Sequence, residues 1–159
     1  MRTIAATIVF AALLALSPLA ANAASPESEI TVQTRRFLDA YALGDQITVL
    51  SDVSPDVSVY GGDIAEMFNG VAGVRRMMEG DQKLWGGSAK IGAIQNQSIV
   101  CAPKLCATTF EAPFSLGSSA PIRVRFSMVW RRTAKGWRLA QSANSTPTVG
   151  QSAEALPRR

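Results

Sequence analysis

Histidine is absent from all 159 residues, and that absence removes much of the usual catalytic repertoire. No serine can be activated by an imidazole, so Ser-His-Asp chemistry is excluded. A zinc centre wants about four ligands, and two cysteines without histidine do not supply them, so no metal is expected. No cofactor is expected either. Proton transfer then falls to carboxylates and tyrosines. Asp63, in Gly61-Gly62-Asp63, is the candidate acid or base, although turns favour aspartate for purely local reasons. Tyr41 and Tyr60 can offer hydroxyls to a ligand, or pack their rings and keep the hydroxyl at a rim. Trp85 lines a pocket entrance or completes a helix's core face.

The two cysteines, Cys101 and Cys106, enclose Ala-Pro-Lys-Leu between two strand-like segments. Opposed residues of an antiparallel pair bring Cβ atoms to about 4.5–5.5 Å, close to disulfide geometry. The C-x4-C spacing is not the C-x-x-C of redox motifs, so a structural disulfide is expected.

An oxidising compartment follows from the N-terminus. Met1-Arg2-Thr3 is a short positive start, Ile4 to Leu19 is mostly apolar, and Ala21-Asn22-Ala23 supplies a small-x-small cleavage pattern. A signal peptide over 1–23 is therefore expected, with cleavage after Ala23 and a periplasmic or secreted product. The apolar run is shorter than the roughly 20 residues needed to cross a bilayer, so no stable membrane anchor is expected after cleavage. The remaining 136 residues fit one domain over 24–145 with a loose tail, 146–159. Without Arg2 they carry 15 basic and 12 acidic residues, a net +3. The arginine pairs are scattered, which argues against nucleic acid.

The positioning elements begin with a helix from Ser25. Ser25 caps, Pro26 suits the first turn, Glu27 and Glu29 favour the positive end of the dipole, and Gly44 stops it. A second short helix is expected over 46–50, a strand over 57–60, and a third helix after Phe68-Asn69-Gly70 carrying Val71, Val74, Met78 and Leu84-Trp85. A strand meander follows: about 89–101, 106–114, 121–132 and 136–145. Facing Cys101 with Cys106 pairs Ile99 with Thr108 and Gln97 with Phe110. The next turn pairs Phe110 with Phe126 and Glu111 with Arg125. The last pairs Arg132 with Trp137, hence Trp130 with Leu139 and Met128 with Gln141. Three registers then agree on one apolar face, with Ile99, Phe110, Phe126, Met128, Trp130 and Leu139, and one charged face. Gln95, Gln97, Thr108 and Gln141 would share the apolar side as a polar cluster marking a ligand cavity.

The ending Val129-Trp130-Arg131…Gly136-Trp137-Arg138, the Gly44-Asp45 turn, Asp56-Val57-Ser58-Val59 and Phe68-Asn69-Gly70 together resemble the nuclear transport factor 2-like superfamily, which includes SnoaL-like proteins and ketosteroid isomerases. The resemblance implies an α+β cone: a strongly bent antiparallel sheet wrapped around N-terminal helices, a cystatin-like roll with one deep pocket. It also implies a homodimer through the outer sheet face. Its isomerase residues do not carry over. The oxyanion tyrosine falls on Phe37, the general base on Gly61 and the proton-donating acid near Ser127. The positions of common SnoaL-like histidines read Gln141 and Ala143. The pocket arginines of the calmodulin-dependent kinase association domain fall near Met128 and Asn144.

Two functions fit this reading. One is an exported binding protein for a small hydrophobic molecule, with Phe37, Tyr41, Tyr60, Trp85, Gln97, Phe110, Met128 and Gln141 as candidate contacts. The other is an isomerase, cyclase or dehydratase using a pocket carboxylate as base. A dimeric interaction module is a third. A raised carboxylate pKa in the pocket would favour the enzyme. Intact-mass measurement of the exported protein is expected to show Ala24 at the N-terminus; retention of Met1 would refute the leader.

Overall fold

Helix α1 spans Pro26–Leu43 and starts and stops as its sequence demands. The Ser25 side chain accepts the Ser28 amide at 3.2 Å, and Gly44 closes the C-terminus at φ 73°, where an L side chain would be strained. Asp45 then caps α2 (Gln46–Asp52) by accepting the Thr48 amide at 3.1 Å. The third helix, α3, covers Gly70–Trp85. This computed structural model describes residues 24–147, so the expected leader and most of the expected tail lie outside the described residues.

Seven strands complete the chain: β1 Val53–Tyr60, β2 Met67–Asn69, β3 Ala89–Ile91, β4 Gln95–Ala102, β5 Leu105–Leu116, β6 Ile122–Thr133 and β7 Gly136–Ser145. They form one curled sheet in the order β2-β1-β7-β6-β5-β3, with β4 also on β5. The α+β cone is present. Its sheet is mixed rather than wholly antiparallel, because β1 joins β7 in parallel. The strand expected over 89–101 is two pieces. Both pair with β5, and between them Gly92 donates to the Pro113 carbonyl at 2.8 Å. Arg35 of α1 also donates to the Gly92 carbonyl, at 2.7 Å, so the bend is held from the helix side.

Most of the expected registers appear: Cys101 opposite Cys106, Ile99 opposite Thr108, Phe110 opposite Phe126, Glu111 opposite Arg125, and Trp130 opposite Leu139. The disulfide joins Cys101 and Cys106. Two pairings fail, each at a bulge. Between Val129 and Trp130 the β6–β7 register shifts, so Met128 faces Ser142 and Gln141 faces Val129. One extra residue reverses which side chains point inward. Ser142 is buried and Gln141 is exposed. Between Gln95 and Ser98 the β4–β5 register shifts as well, with Asn96 at φ 52°, so Gln97 does not oppose Phe110. Gln95 is exposed and Gln97 only reaches the Thr108 hydroxyl, at 3.4 Å. The expected polar cluster does not assemble.

The core lies between the inner sheet face and the helices, with Ile30, Leu38, Val57, Val74, Met78, Trp130 and Leu139 essentially sealed. Trp130 has no solvent exposure and meets Phe37 edge-on, their ring centres 6.0 Å apart. Glu29 ties the start of α1 to the last hairpin, accepting the Trp137 indole N–H at 2.6 Å and an Arg132 guanidinium contact. Trp130→Ala is expected to cost about 3–5 kcal/mol, the usual range for emptying a buried aromatic site, as read by urea unfolding. A loss under about 1 kcal/mol would show that the cone does not close on this residue.

Candidate functional site

Helix α3 presents Met77, Asp81 and Trp85 at successive four-residue steps, so one face carries them toward α1. Tyr41, near the end of α1, meets that face. Its hydroxyl donates to an Asp81 carboxylate oxygen, and its ring meets Trp85 edge-on at 5.4 Å and 88°. Trp85 in turn meets Phe114 of β5 at 5.3 Å and 63°. These rings and Asp81 line a cavity of about 200 Å³ between the two helices and the open end of the sheet. Phe68, Phe126 and Asn144 complete the wall, and Leu84 and Ile122 are exposed members of it. A smaller recess of about 30 Å³, walled by Phe37, Met128, Leu139 and Ser142, shares Tyr41, Met77, Phe126 and Asn144 with it.

The charges in this cavity are all negative. Two carboxylates line it, Asp81 and Glu66, and among the described lining residues there is no lysine or arginine. Removal from water pushes the Asp81 carboxyl above its ordinary value; the Tyr41 hydrogen bond opposes that and the Glu66 charge adds to it. Burial, together with the Asp81 charge, holds the Tyr41 phenol well above the usual tyrosine range, so Tyr41 remains a donor.

Glu66 reaches the site through a tight loop after β1. Gly61 donates to the Glu66 carbonyl at 2.8 Å, and the Glu66 carboxylate accepts the Asp63 amide at 3.1 Å. The carboxylate lies directly over Gly61: a Cβ there would collide with Glu66 Oε2 and Cβ. Only glycine leaves room for it.

Tyr41 and Trp85, among the candidates read from the sequence, come together in the main cavity, and Phe37 and Met128 wall its recess. Five others do not join them. Asp63 is an exposed loop residue whose carboxylate accepts the Ala65 amide at 2.9 Å, so its side chain serves the turn rather than the cavity. Tyr60 is 41 % exposed on the outside of β1. Gln141 points outward because of the β6–β7 bulge, and Gln97 lies away from the cavity on β4. Phe110 is buried and stacked on Phe126 at 5.0 Å, without lining the main cavity.

Sequence reasoning missed Asp81, Glu66 and Asn144. A signal for Asp81 exists: a lone carboxylate four residues from Met77 and four from Trp85 interrupts an apolar helical stripe. Glu66 has none, since its placement depends on how the Gly61–Glu66 loop folds back.

Comparison with known proteins agrees with this architecture. The SnoaL-like domain family model matches residues 32–149. No curated protein matches the chain. Solved structures share the fold at low identity. A nuclear transport factor 2-like protein of unknown function from Pseudomonas putida is 19% identical, covering 82% of this chain and 92% of that one, with a TM-score of 0.69. A provisionally assigned dehydratase of the same superfamily from Streptomyces avermitilis is 16% identical, covering 79% and 100%, with a TM-score of 0.68. A nuclear transport factor 2-like protein with a cystatin-like fold from Novosphingobium aromaticivorans is 16% identical, covering 81% and 85%, at 0.66.

The glycine seat of Glu66 gives a direct test. Gly61→Ala should expel the carboxylate, release the Asp63 amide and cost about 1–2 kcal/mol in urea unfolding. Gly62→Ala, whose Cβ would meet only Asn144 Oδ1 at 3.8 Å, should be nearly neutral. Equal effects from the two would contradict the seat.

Proposed function

The chain belongs to the SnoaL-like domain family, and from that premise we propose that its cavity binds a small, largely apolar molecule and moves a proton on it, in the manner of an isomerase or dehydratase. One observation carries the reading: two carboxylates share an aromatic-walled cavity, Asp81 bonded by a phenol and Glu66 by a backbone amide. Pairs of acids whose surroundings differ this way are how proton donors and acceptors are divided in active sites. A raised carboxylate in an apolar pocket favours catalysis over binding alone.

Roles follow from position. Gly61 is where the superfamily resemblance places a general base, and a carboxylate does stand there, delivered by Glu66 from the same loop. Phe37 is where it places a hydroxyl donor, and Tyr41 lies one turn further on the same helix. Glu66 is assigned as the base. The Tyr41–Asp81 pair holds the substrate's polar group. In the reaction the C–H bond breaks toward Glu66 and its electron pair enters a new double bond. The proton then returns at another carbon, which is isomerisation, or a hydroxyl leaves with it as water, which is dehydration. A volume of about 200 Å³ lies below the roughly 300–1,000 Å³ of drug-sized pockets, so the substrate is small. Export behind the Met1–Ala23 segment and pairing through the outer sheet face belong to the same proposal. They are supported by the cleavage pattern and by the superfamily resemblance.

Proton NMR in deuterium oxide provides the test, with acetophenone and the tetralones as carbon-acid probes. The protein is expected to accelerate loss of the signals beside the carbonyl. Glu66→Gln should slow that exchange by about 10²–10⁴-fold, the usual share of a general base. Exchange unchanged by Glu66→Gln would overturn the assignment. Probes that bind without any exchange would leave a binding protein.

A further inference from the structure

Asp81 is a half-buried carboxylate with one hydroxyl as its hydrogen-bond partner and no cationic side chain in the wall around it. Elsewhere in this chain, carboxylates removed from solvent have guanidinium partners. Asp52, 1 % exposed, has Arg36 at 3.5 Å, and Glu111 has Arg125 at 3.0 Å and Arg123 at 3.6 Å. The cavity departs from that pattern at the place where a ligand would enter. An uncompensated buried charge is costly, and a ligand that supplies the missing positive charge recovers the cost on binding.

The walls favour the same ligand. Tyr41, Trp85 and Phe114 meet edge-on at 88° and 63°, which makes the corner of a box rather than a flat stack. Ring faces attract a cationic nitrogen, and boxes of such rings are how quaternary ammonium groups are recognised. The proton chemistry points the same way. Removing a proton from carbon neutralises Glu66 and leaves negative charge on the substrate, and beside Asp81 that charge would be repelled. Tyr41 already spends its hydrogen on Asp81, leaving few donors in the wall to stabilise it. A positive nitrogen within the substrate would do so.

We propose that the cavity takes a small organic cation, a quaternary or protonated amine on an aryl or alkyl body, with its nitrogen against Asp81 and the Trp85–Phe114 corner. This rests on the reading of the cavity as the site and names the substrate class for it. Glu66 at the mouth then faces the carbon beside the nitrogen.

The probes are phenacyltrimethylammonium and its uncharged isostere in which carbon replaces the quaternary nitrogen. Both carry the same aryl ketone and a methylene at the same place beside the carbonyl. NMR titration of the intact protein should show the cation binding at least about tenfold more tightly. Asp81→Asn, a near-isosteric change, should bring the two affinities together chiefly by weakening the cation. Trp85→Leu should weaken the cation more than the isostere. Equal affinities in the unaltered protein, or a preference for the isostere, would overturn the proposal. If acetophenone still binds and exchanges in that case, the site reading stands alone; if no probe binds, both fall.

Discussion

A sheet with one apolar face must cover it, and the cone depends on how that is achieved. Phe110, Val124, Met128, Trp130 and Leu139 line the inner side of β5, β6 and β7. Right-handed twist lets such a sheet curl, and α1 with α3 fill the concavity. Trp130 and Phe37 close the packing at the centre, and Glu29 pins the helix start to the last hairpin. Beside Ile91 of β3, Ile122 of β6 and Asn144 near the end of β7, a space is left between the helix ends and the sheet. The cavity is this unfilled end of the core, so its walls are core residues seen from the other side.

That origin explains its electrostatics. Core-like walls remove water from whatever they enclose, and Asp81 on the inner stripe of α3 bears the cost. The sign of the linkage is set by the raised pKa. The penalty is absent below the ordinary aspartate value of about 3.9, where the group is protonated in both states. It grows as pH rises through the window up to the raised folded value, so Asp81 lowers stability at neutral pH. Groups that weaken the fold in this way are what a binding site needs and a core does not. Glu66 stands over a glycine, its carboxylate accepting a backbone amide.

Much of the fold was legible because it rests on local and alternating patterns. Ser25, Pro26 and Gly44 marked the limits of α1, and the cysteine pairing with the Phe110–Phe126 and Trp130–Leu139 registers marked the meander. Alternation carries no information about where a strand gains a residue. Both bulges therefore misplaced side chains, Gln141 by a full face and Gln97 by its partner. The site was less legible for a related reason. Tyr41 and Trp85 could be named from type and helical position, whereas Asp81 was hidden among apolar neighbours and Glu66 depends on a loop folding over Gly61. Asp63 attracted notice as the carboxylate two residues past the base position, and its side chain is spent on its own turn.

Asp81 is a half-buried carboxylate in an aromatic-walled cavity, with a tyrosine as its support. Carbon-detected NMR titration of the Asp81 carboxyl measures that state directly. The carboxyl should titrate above the ordinary aspartate range, and higher still in Tyr41→Phe, because the lost hydrogen bond was favouring the charged form. An Asp81 that titrates at or below the ordinary value, indifferent to Tyr41, would contradict it.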